Sequence, residues 1–181
     1  MTERTLCVWF PDWPLRRPDA LPDRPCLVVD VAGIVVAADP AASRSGVEPG
    51  MHRREAESAC PAAVALVADR TAEATAFEPV VRAVEGVVPR VEVAVPGLLF
   101  VPVSGAMRYY GGERQVVAAV AAAVAGAAPG ARVGLADGPF AAKMAAGAAG
   151  DDPMIVEDTA AFLAGFDLSV LEVSEIVDTF R

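Results

Sequence analysis

The pattern of apolar and polar positions is most informative between Val91 and Val103. Two runs of mainly β-branched and aliphatic residues flank Pro96-Gly97, and Pro followed by Gly suits the central positions of a type II turn, where Gly supplies the positive φ. The pattern predicts a β-hairpin with Pro96-Gly97 at its tip. Because Leu98–Val103 is apolar at nearly every position, the hairpin is expected to lie at the centre of a sheet and not at an edge.

The remainder of the chain alternates between strand-like and helix-like patterns. The predicted strands are Arg4–Phe10, two strands within Pro25–Ala37 joined by Val31-Ala32-Gly33, Arg132–Ala136 and Met154–Val156. The predicted helices are a short one opened by Asp39-Pro40, then about His52–Ala59, Thr71–Val87, Glu113–Ala127, Phe140–Ala149, and one from Asp158 to Leu163. Ser104–Gly112 is expected to form a turn, and Ser174 is expected to cap a further helix.

Composition narrows the class of protein. Hydrophobic residues make up 54% of the 181 residues, yet no stretch reaches the roughly 20 apolar residues of a membrane span. The first residues lack the form of a signal peptide, which predicts a cytoplasmic protein with no membrane partner. Cys7, Cys26 and Cys60 are widely spaced, and His52 is the single histidine. This spacing argues against a zinc site or a disulfide framework and predicts plain buried thiols.

The charge distribution argues against strong nucleic-acid binding. The net charge is −9, divided into −2 for residues 1–70, −1 for 71–130 and −6 for 131–181. A protein that binds nucleic acid by itself is normally basic. The sequence therefore predicts weak DNA binding, if any, and an acidic last third that faces solvent or another protein.

The hairpin resembles the palm hairpin of the Y-family DNA polymerases, which include DinB and UmuC. Its family form is V-E-x-x-S-I-D-E-A-Y-L-D, in which the Asp-Glu pair binds the catalytic metals. In this alignment Gly97 and Leu98 stand at the Asp-Glu pair. The first family strand ends V-D-x-D-x-F-F, and aligning L-C-V-W-F-P-D-W on it puts Trp9 at the third metal ligand. The resemblance implies a chain without metal ligands, catalytic residues or a cofactor.

A second resemblance lies in the segment that forms the fingers in this family. The family frame G-V-x-x-G-M is present at residues 46–51. The family Thr, Tyr and Arg that hold the incoming triphosphate correspond to Ala37, Pro40 and Ser43. Lys143 matches a family lysine that contacts the triphosphate, and it is the one remaining candidate for nucleotide contact. The alternative interpretation of Lys143 is a solvated lysine on a helix.

The resemblance covers nearly the whole chain and implies an α+β fold. The implied architecture is a Y-family polymerase palm, a ferredoxin-like mixed β-sheet with helices on one face, with a small fingers insertion and the start of a thumb. The implied palm comprises residues 1–14 and 68–157, the fingers 15–67 and a truncated thumb 158–181. The chain is accordingly expected to be the N-terminal part of a longer protein.

Loss of all three carboxylates also resembles the ImuB-like group, the polymerase-like proteins of bacterial mutagenesis cassettes. That likeness implies a non-catalytic scaffold of a DNA-damage-induced complex for translesion synthesis and mutagenesis in the SOS response. The implied partners are an error-prone C-family DNA polymerase subunit, a RecA-like accessory protein and the sliding clamp. The clamp is expected to bind through regions beyond residue 181.

Other interpretations remain open at the level of sequence. Asp12, Glu92 and Asp137 could supply carboxylates to a remodelled nucleotidyltransferase, although Asp12 suits a Pro-rich turn and Glu92 lies on the unfavourable strand face. A protein-interaction module unrelated to DNA repair is a further alternative. Tyr109 and Tyr110 could stack on bases or could serve packing alone.

Overall fold

A computed structural model describes residues 3–16 and 23–166 of the chain. These residues divide into two compact units, one formed by residues 3–10 and 78–166 and the other by residues 11–16 and 23–77. The unit boundaries at 10/11 and 77/78 lie near the predicted boundaries between palm and fingers at 14/15 and 67/68. The assignment of these units to palm and fingers stays a prediction. Within the described ranges, no helix has the length and apolar character needed to cross a membrane.

The described elements alternate between strands and helices along the chain. In chain order they are β1 (Arg4–Trp9), a 3₁₀ turn (Trp13–Leu15), β2 (Cys26–Val29), β3 (Val35–Ala38), α1 (Pro40–Arg44), α2 (Arg53–Ala59), β4 (Val64–Val67), α3 (Arg70–Glu85), β5 (Glu92–Val95), β6 (Leu98–Pro102), α4 (Ser104–Tyr110), α5 (Glu113–Ala127), β7 (Arg132–Asp137), α6 (Pro139–Ala148), β8 (Met154–Ile155) and α7 (Thr159–Leu163).

The first unit is built on a five-stranded mixed sheet in the order β5-β6-β1-β7-β8. Neighbouring strands are antiparallel except for β7 and β8, which are parallel. The order β7-β1-β6-β5, with α3 between β1 and β5 and α5 between β6 and β7, is the split β-α-β arrangement of ferredoxin-like folds. The predicted α+β class and mixed sheet are confirmed.

Helices cover both faces of this sheet. Leu6, Cys7 and Val8 point alternately to opposite faces, and all three are fully buried. α6 packs on the face that carries Cys7, where its small side chains join a buried cluster with Phe100. α5 also contacts β7, but its buried valines lie outside that cluster. The sequence resemblance implied helices on one face of the sheet, whereas the structure has helices on both faces.

Gly134 of β7 sets how closely α6 approaches the sheet. A Cβ atom at Gly134 would overlap the backbone of Ala142 and Ala146 on α6. The backbone atoms of a packed helix cannot move aside independently. Any residue other than Gly at this position would therefore displace α6 from the sheet. The close approach brings the side chains of α6 against β1 as well as β7.

The hairpin is present, but its predicted central position is wrong for one strand. β5 and β6 pair through a tight turn in which Gly97 has a φ of 90°. β6 lies inside the sheet and buries Leu99–Val101, whereas β5 is an edge strand. Val93 is 45% exposed, and the register shift between Val93 and Val95 lets Ala94 face the core. Alternation of residue types specifies two faces of a strand but not its neighbours, so it could not exclude an edge.

The second unit contains a three-stranded sheet in the order β3-β2-β4. The predicted hairpin between β2 and β3 is confirmed, with Gly33 in its connection at a φ of 80°. β4 pairs parallel to β2 and was not predicted. The residues of β4 (Val64–Val67) are half-buried or exposed, and their sequence does not alternate between apolar and polar types. The pattern is therefore too weak to identify a strand by itself.

Most helix predictions are confirmed to within one or two residues, since caps and periodicity are local signals. Asp39 caps α1 through a hydrogen bond from the Ala42 backbone N–H, 2.7 Å long. The predicted turn at Ser104–Gly112 is wrong, because residues 104–110 form α4. None of the α4 side chains is fully buried, which explains why no helical period marks this segment. The predicted cap at Ser174 lies outside the described residues.

Candidate functional site

The three positions that the resemblance assigns to metal ligands meet at one end of the first sheet. Trp9, at the end of β1, lies directly opposite Leu98, the first residue of β6. The Phe10 backbone N–H donates a 2.8 Å hydrogen bond to the carbonyl oxygen of Gly97. We call Trp9, Gly97 and Leu98 the hairpin site. The sequence alignment and the backbone register therefore place the same residues together.

Two cationic side chains lie against the indole of Trp9. The Nζ of Lys143, on α6, is 2.9 Å from the ring centroid. The guanidinium carbon of Arg132 is 5.7 Å from the same centroid. Arg132 occupies the β7 position opposite Trp9, and its Nη1 donates a 3.1 Å hydrogen bond to the carbonyl oxygen of Gly147. The hairpin site is therefore bordered by positive charge on the α6 side.

The remaining surroundings of the hairpin site are apolar. Trp9, Ala94 and Leu98 are partly buried and pack against a buried cluster that includes Cys7 and Phe100. Burial raises the pKa of the Cys7 thiol to about 12, although the nearby charge of Lys143 opposes this shift. The thiol is consequently neutral at physiological pH.

The side chains at the hairpin site do not match the requirements of a magnesium or manganese centre. Such ions prefer carboxylate and carbonyl oxygens, and two-metal phosphoryl transfer needs carboxylates that bridge or flank both ions. Trp9 offers an N–H donor, Leu98 a hydrocarbon chain and Gly97 no side chain at all. The residues present therefore do not fit the metals that the fold family implies.

The carboxylates that could serve a remodelled enzyme either form ion pairs with arginines or lie on distant strands of the sheet. Asp12 is exposed and pairs with Arg16 at 3.2 Å, so it bonds a side chain and not the local backbone that its sequence position suggested. Glu92 is exposed on the edge strand β5, while Asp137 lies on β7, three strands away. Among residues 3–16 and 23–166, no three Asp, Glu, His or Cys side chains are grouped so that they could hold a metal.

Asp137 belongs instead to a network of side chains at the opposite end of the sheet. Arg4 makes two hydrogen bonds to the carboxylate of Glu113, 2.8 and 2.9 Å long, and lies 3.5 Å from Asp137. The Thr159 hydroxyl lies 3.2 Å from the second Asp137 oxygen. The hydrogen bond to Glu113 and the negative charges of Glu113 and Asp137 raise the pKa of Arg4 above its ordinary value. The network ties β1, α5, β7 and α7 together, which is a structural role.

The fingers positions lie in the second unit and offer few hydrogen-bond donors. Ala37 is buried on β3, and Pro40 is the first residue of α1. Ser43 is exposed on α1 beside the exposed Arg44. Alanine and proline side chains donate no hydrogen bonds, and serine replaces a bidentate guanidinium with a single hydroxyl. Arg44 is the one cationic side chain on α1.

The tyrosine pair differs in exposure between its two members. The Tyr110 hydroxyl donates a 3.2 Å hydrogen bond to the carbonyl oxygen of Val87. Tyr109 is 85% exposed and meets Tyr110 edge to face, with ring centroids 5.0 Å apart. Tyr110 thus serves packing, while the exposed ring of Tyr109 leaves base stacking an open prediction.

Sequence reasoning did not select Arg132 as part of the hairpin site. Its position follows from the pairing of β7 with β1, which aligns Arg132 with Trp9 across antiparallel strands. A basic residue at the start of a short strand has no distinctive local pattern. Only the long-range register identifies it.

The hairpin site and the fold can be compared with known proteins. The model of the IMS (impB/mucB/samB) family matches residues 11–147. A structure titled as the insertion ternary complex of Dbh DNA polymerase has a TM-score of 0.73 at 16% identity, covering 92% of this chain and 53% of that chain. DinB from Sulfolobus solfataricus has a TM-score of 0.69 at 16% identity, covering 84% of this chain and 48% of that chain.

A post-insertion binary complex of Dbh DNA polymerase is similar to the same degree, with a TM-score of 0.73, 16% identity, and coverage of 92% of this chain and 52% of that chain. The chain thus spans about half the length of these solved polymerases. At these identities the likeness concerns the fold. Among curated proteins, no sequence matches the chain.

Proposed function

Because the chain belongs to the impB/mucB/samB family and has a Y-family polymerase-like fold, we propose that it is a non-catalytic member of that family. It acts as a scaffold in a DNA-damage-induced complex for translesion synthesis and mutagenesis, as in the ImuB-like group. One observation carries this proposal: Trp9, Gly97 and Leu98 meet where the family has metal-binding carboxylates.

The chemistry of these side chains is the physical basis of the proposal. Phosphoryl transfer to a nucleotide depends on metal ions that neutralise charge on both the attacking and the leaving oxygens. An indole, a hydrogen atom and an isobutyl group cannot bind such ions in place of three carboxylates. The fingers positions support the same conclusion, because Ala37, Pro40 and Ser43 lack the donors that would hold a triphosphate.

A scaffold role also agrees with the charge of the protein. The net charge of −9 disfavours binding of the phosphate backbone, so contacts with other proteins are the main means of action. The proposed partners are an error-prone C-family DNA polymerase subunit, a RecA-like accessory protein and the sliding clamp. Co-purification of the full-length protein with these replication factors supports the proposal, while partners outside DNA repair would contradict it.

Primer extension tests the absence of catalysis directly. We expect no extension above background with magnesium or manganese, at enzyme concentrations where an active family polymerase extends every primer. The matched variant is Asp12→Ala, which removes the exposed carboxylate that lies nearest in sequence to the family ligand position. Extension by the wild type that disappears in Asp12→Ala would replace the scaffold proposal with a remodelled enzyme.

A further inference from the structure

The contact between Lys143 and Trp9 places a cation of the protein itself at the hairpin site. We infer that the Lys143 ammonium is an intramolecular cation bound by the Trp9 indole, and that this pair closes the hairpin site where the family binds metal ions. The inference rests on the proposed function only in treating the hairpin site as a former metal site. It concerns what holds the site together, and no reaction depends on it.

The distance between the two groups supports a direct cation–π interaction. The ammonium nitrogen is 2.9 Å from the Trp9 ring centroid, well inside the roughly 6 Å within which a cation is attracted by an aromatic face. Tryptophan provides the strongest such face among the aromatic residues. Because Trp9 and Lys143 are each only partly exposed, water screens this contact less than it would at an open surface.

The backbone around Lys143 holds the ammonium at this place. Gly134 lets α6 approach the sheet closely, and the neighbouring Ala142 is completely buried against it. Lys143 therefore starts from a fixed point beside β1, and its flexible chain has only to extend along the sheet to reach Trp9. At the other end of α6, the Gly147 carbonyl oxygen holds Arg132, the second cation near the ring.

The guanidinium carbon of Arg132 lies 5.7 Å from the centroid of the same ring. Arg132 carries the same charge as Lys143 and repels it. The negative face of the indole offsets this repulsion by attracting both cations, so losing the ring would affect both.

A double-mutant cycle in thermal denaturation measures the interaction. Lys143→Met keeps the chain length and removes the charge, and we expect it to lower the midpoint by about 2–8 °C. Lys143→Arg keeps a cation and should recover most of the midpoint. In a Trp9→Leu background, Lys143→Met should have almost no further effect, because the aromatic face is already absent. Arg114→Met, which removes an exposed arginine on a different helix, α5, is the matched control.

Chemical rescue tests the same contact without changing Trp9. In Lys143→Ala, butylammonium chloride should raise the midpoint more than sodium chloride at equal ionic strength, since it can place an ammonium group on the exposed ring. The salt should give no such difference in the wild type, where Lys143 already covers the ring. If Trp9→Leu does not fold, Trp9→Phe, which keeps a weaker aromatic face, replaces it in the cycle.

Two results would overturn the inference: an equal effect of Lys143→Met in both Trp9 backgrounds, or no difference between the salts in Lys143→Ala. Neither result bears on catalysis, which primer extension measures separately. Conversely, primer extension by the wild type would remove the proposed function and leave the measured coupling of Trp9 and Lys143 intact. The two failures can therefore be distinguished.

Discussion

At the scale of single residues, the buried thiol of Cys7 makes a specific contribution to stability. Its pKa is raised from 9.0 to about 12 by burial, so the folded protein keeps a proton that the unfolded chain loses above pH 9. A raised folded-state pKa gives stability that is fully present below the unfolded value and is lost as pH rises toward the folded one. The relevant window for Cys7 is therefore pH 9 to about 12.

We expect the free energy of unfolding to fall by up to about 1.4 kcal/mol per pH unit in this window on account of Cys7. Urea denaturation at pH 8, 9.5 and 10.5 measures the free energy of unfolding below the window and at two pH values within it, which gives this slope. Cys7→Ala should lower stability at pH 8 through a small cavity but should show a shallower decline above pH 9. Identical slopes for the two proteins would mean that the thiol ionises with little hindrance in the folded state.

At the scale of elements, the hairpin has apolar packing at the positions that the sequence resemblance aligns with the metal-binding carboxylates of the family. Active family members hold carboxylates close together at this point, and like charges repel unless a metal is bound. In this chain Leu98 and Trp9 both pack against the buried cluster that includes Cys7 and Phe100, and Gly97 occupies the positive-φ position of the turn. The hairpin therefore gains stability from apolar contact instead of losing it to repulsion.

Restoring the family carboxylates should reverse this gain. The triple variant Trp9→Asp, Gly97→Asp, Leu98→Glu loses up to about 1.5–3 kcal/mol from Leu98 alone, and the added charges repel one another. We expect a total loss of several kcal/mol in chemical denaturation, and no polymerase activity because the fingers donors remain absent. Val93→Glu, on the exposed edge strand, is the control that adds charge without disturbing packing. An unchanged midpoint in the triple variant would show that Trp9 and Leu98 do not stabilise each other.

At the scale of the whole molecule, each of the two units has features that disfavour nucleotide binding. The first unit presents Lys143 on the Trp9 ring, and the second presents Pro40 and Ser43 at the family phosphate positions. The net charge of −9 adds a general repulsion of polyanions. Nucleotide affinity is therefore expected to be lost through several independent features.

Titration calorimetry with deoxynucleoside triphosphates tests this expectation. We predict no saturable binding at micromolar concentrations, with or without magnesium. A micromolar dissociation constant that weakens in Lys143→Ala and stays constant in Arg114→Ala would contradict it. That outcome would return Lys143 to nucleotide binding and would require its side chain to leave the indole.

Much of the fold follows from local sequence signals. The Pro96-Gly97 turn, the Asp39 cap and the helix over Glu113–Ala127 all depend on residues adjacent in sequence, and all are observed. The absence of carboxylates at Trp9 and Leu98 is likewise visible in the sequence once the hairpin register is known. These features could be predicted because backbone conformation and helical period are encoded within a few residues.

Tertiary structure alone decided which elements became neighbours. It placed β5 at an edge, paired β4 with β2, and formed α4 from a segment that has no fully buried side chain. It also brought Lys143 and Arg132 to one indole from two different elements. Such contacts depend on strand order and on the distance at which α6 packs, and both are set by burial summed over the whole sheet. No local pattern carries that information, because residues far apart in the chain determine it jointly.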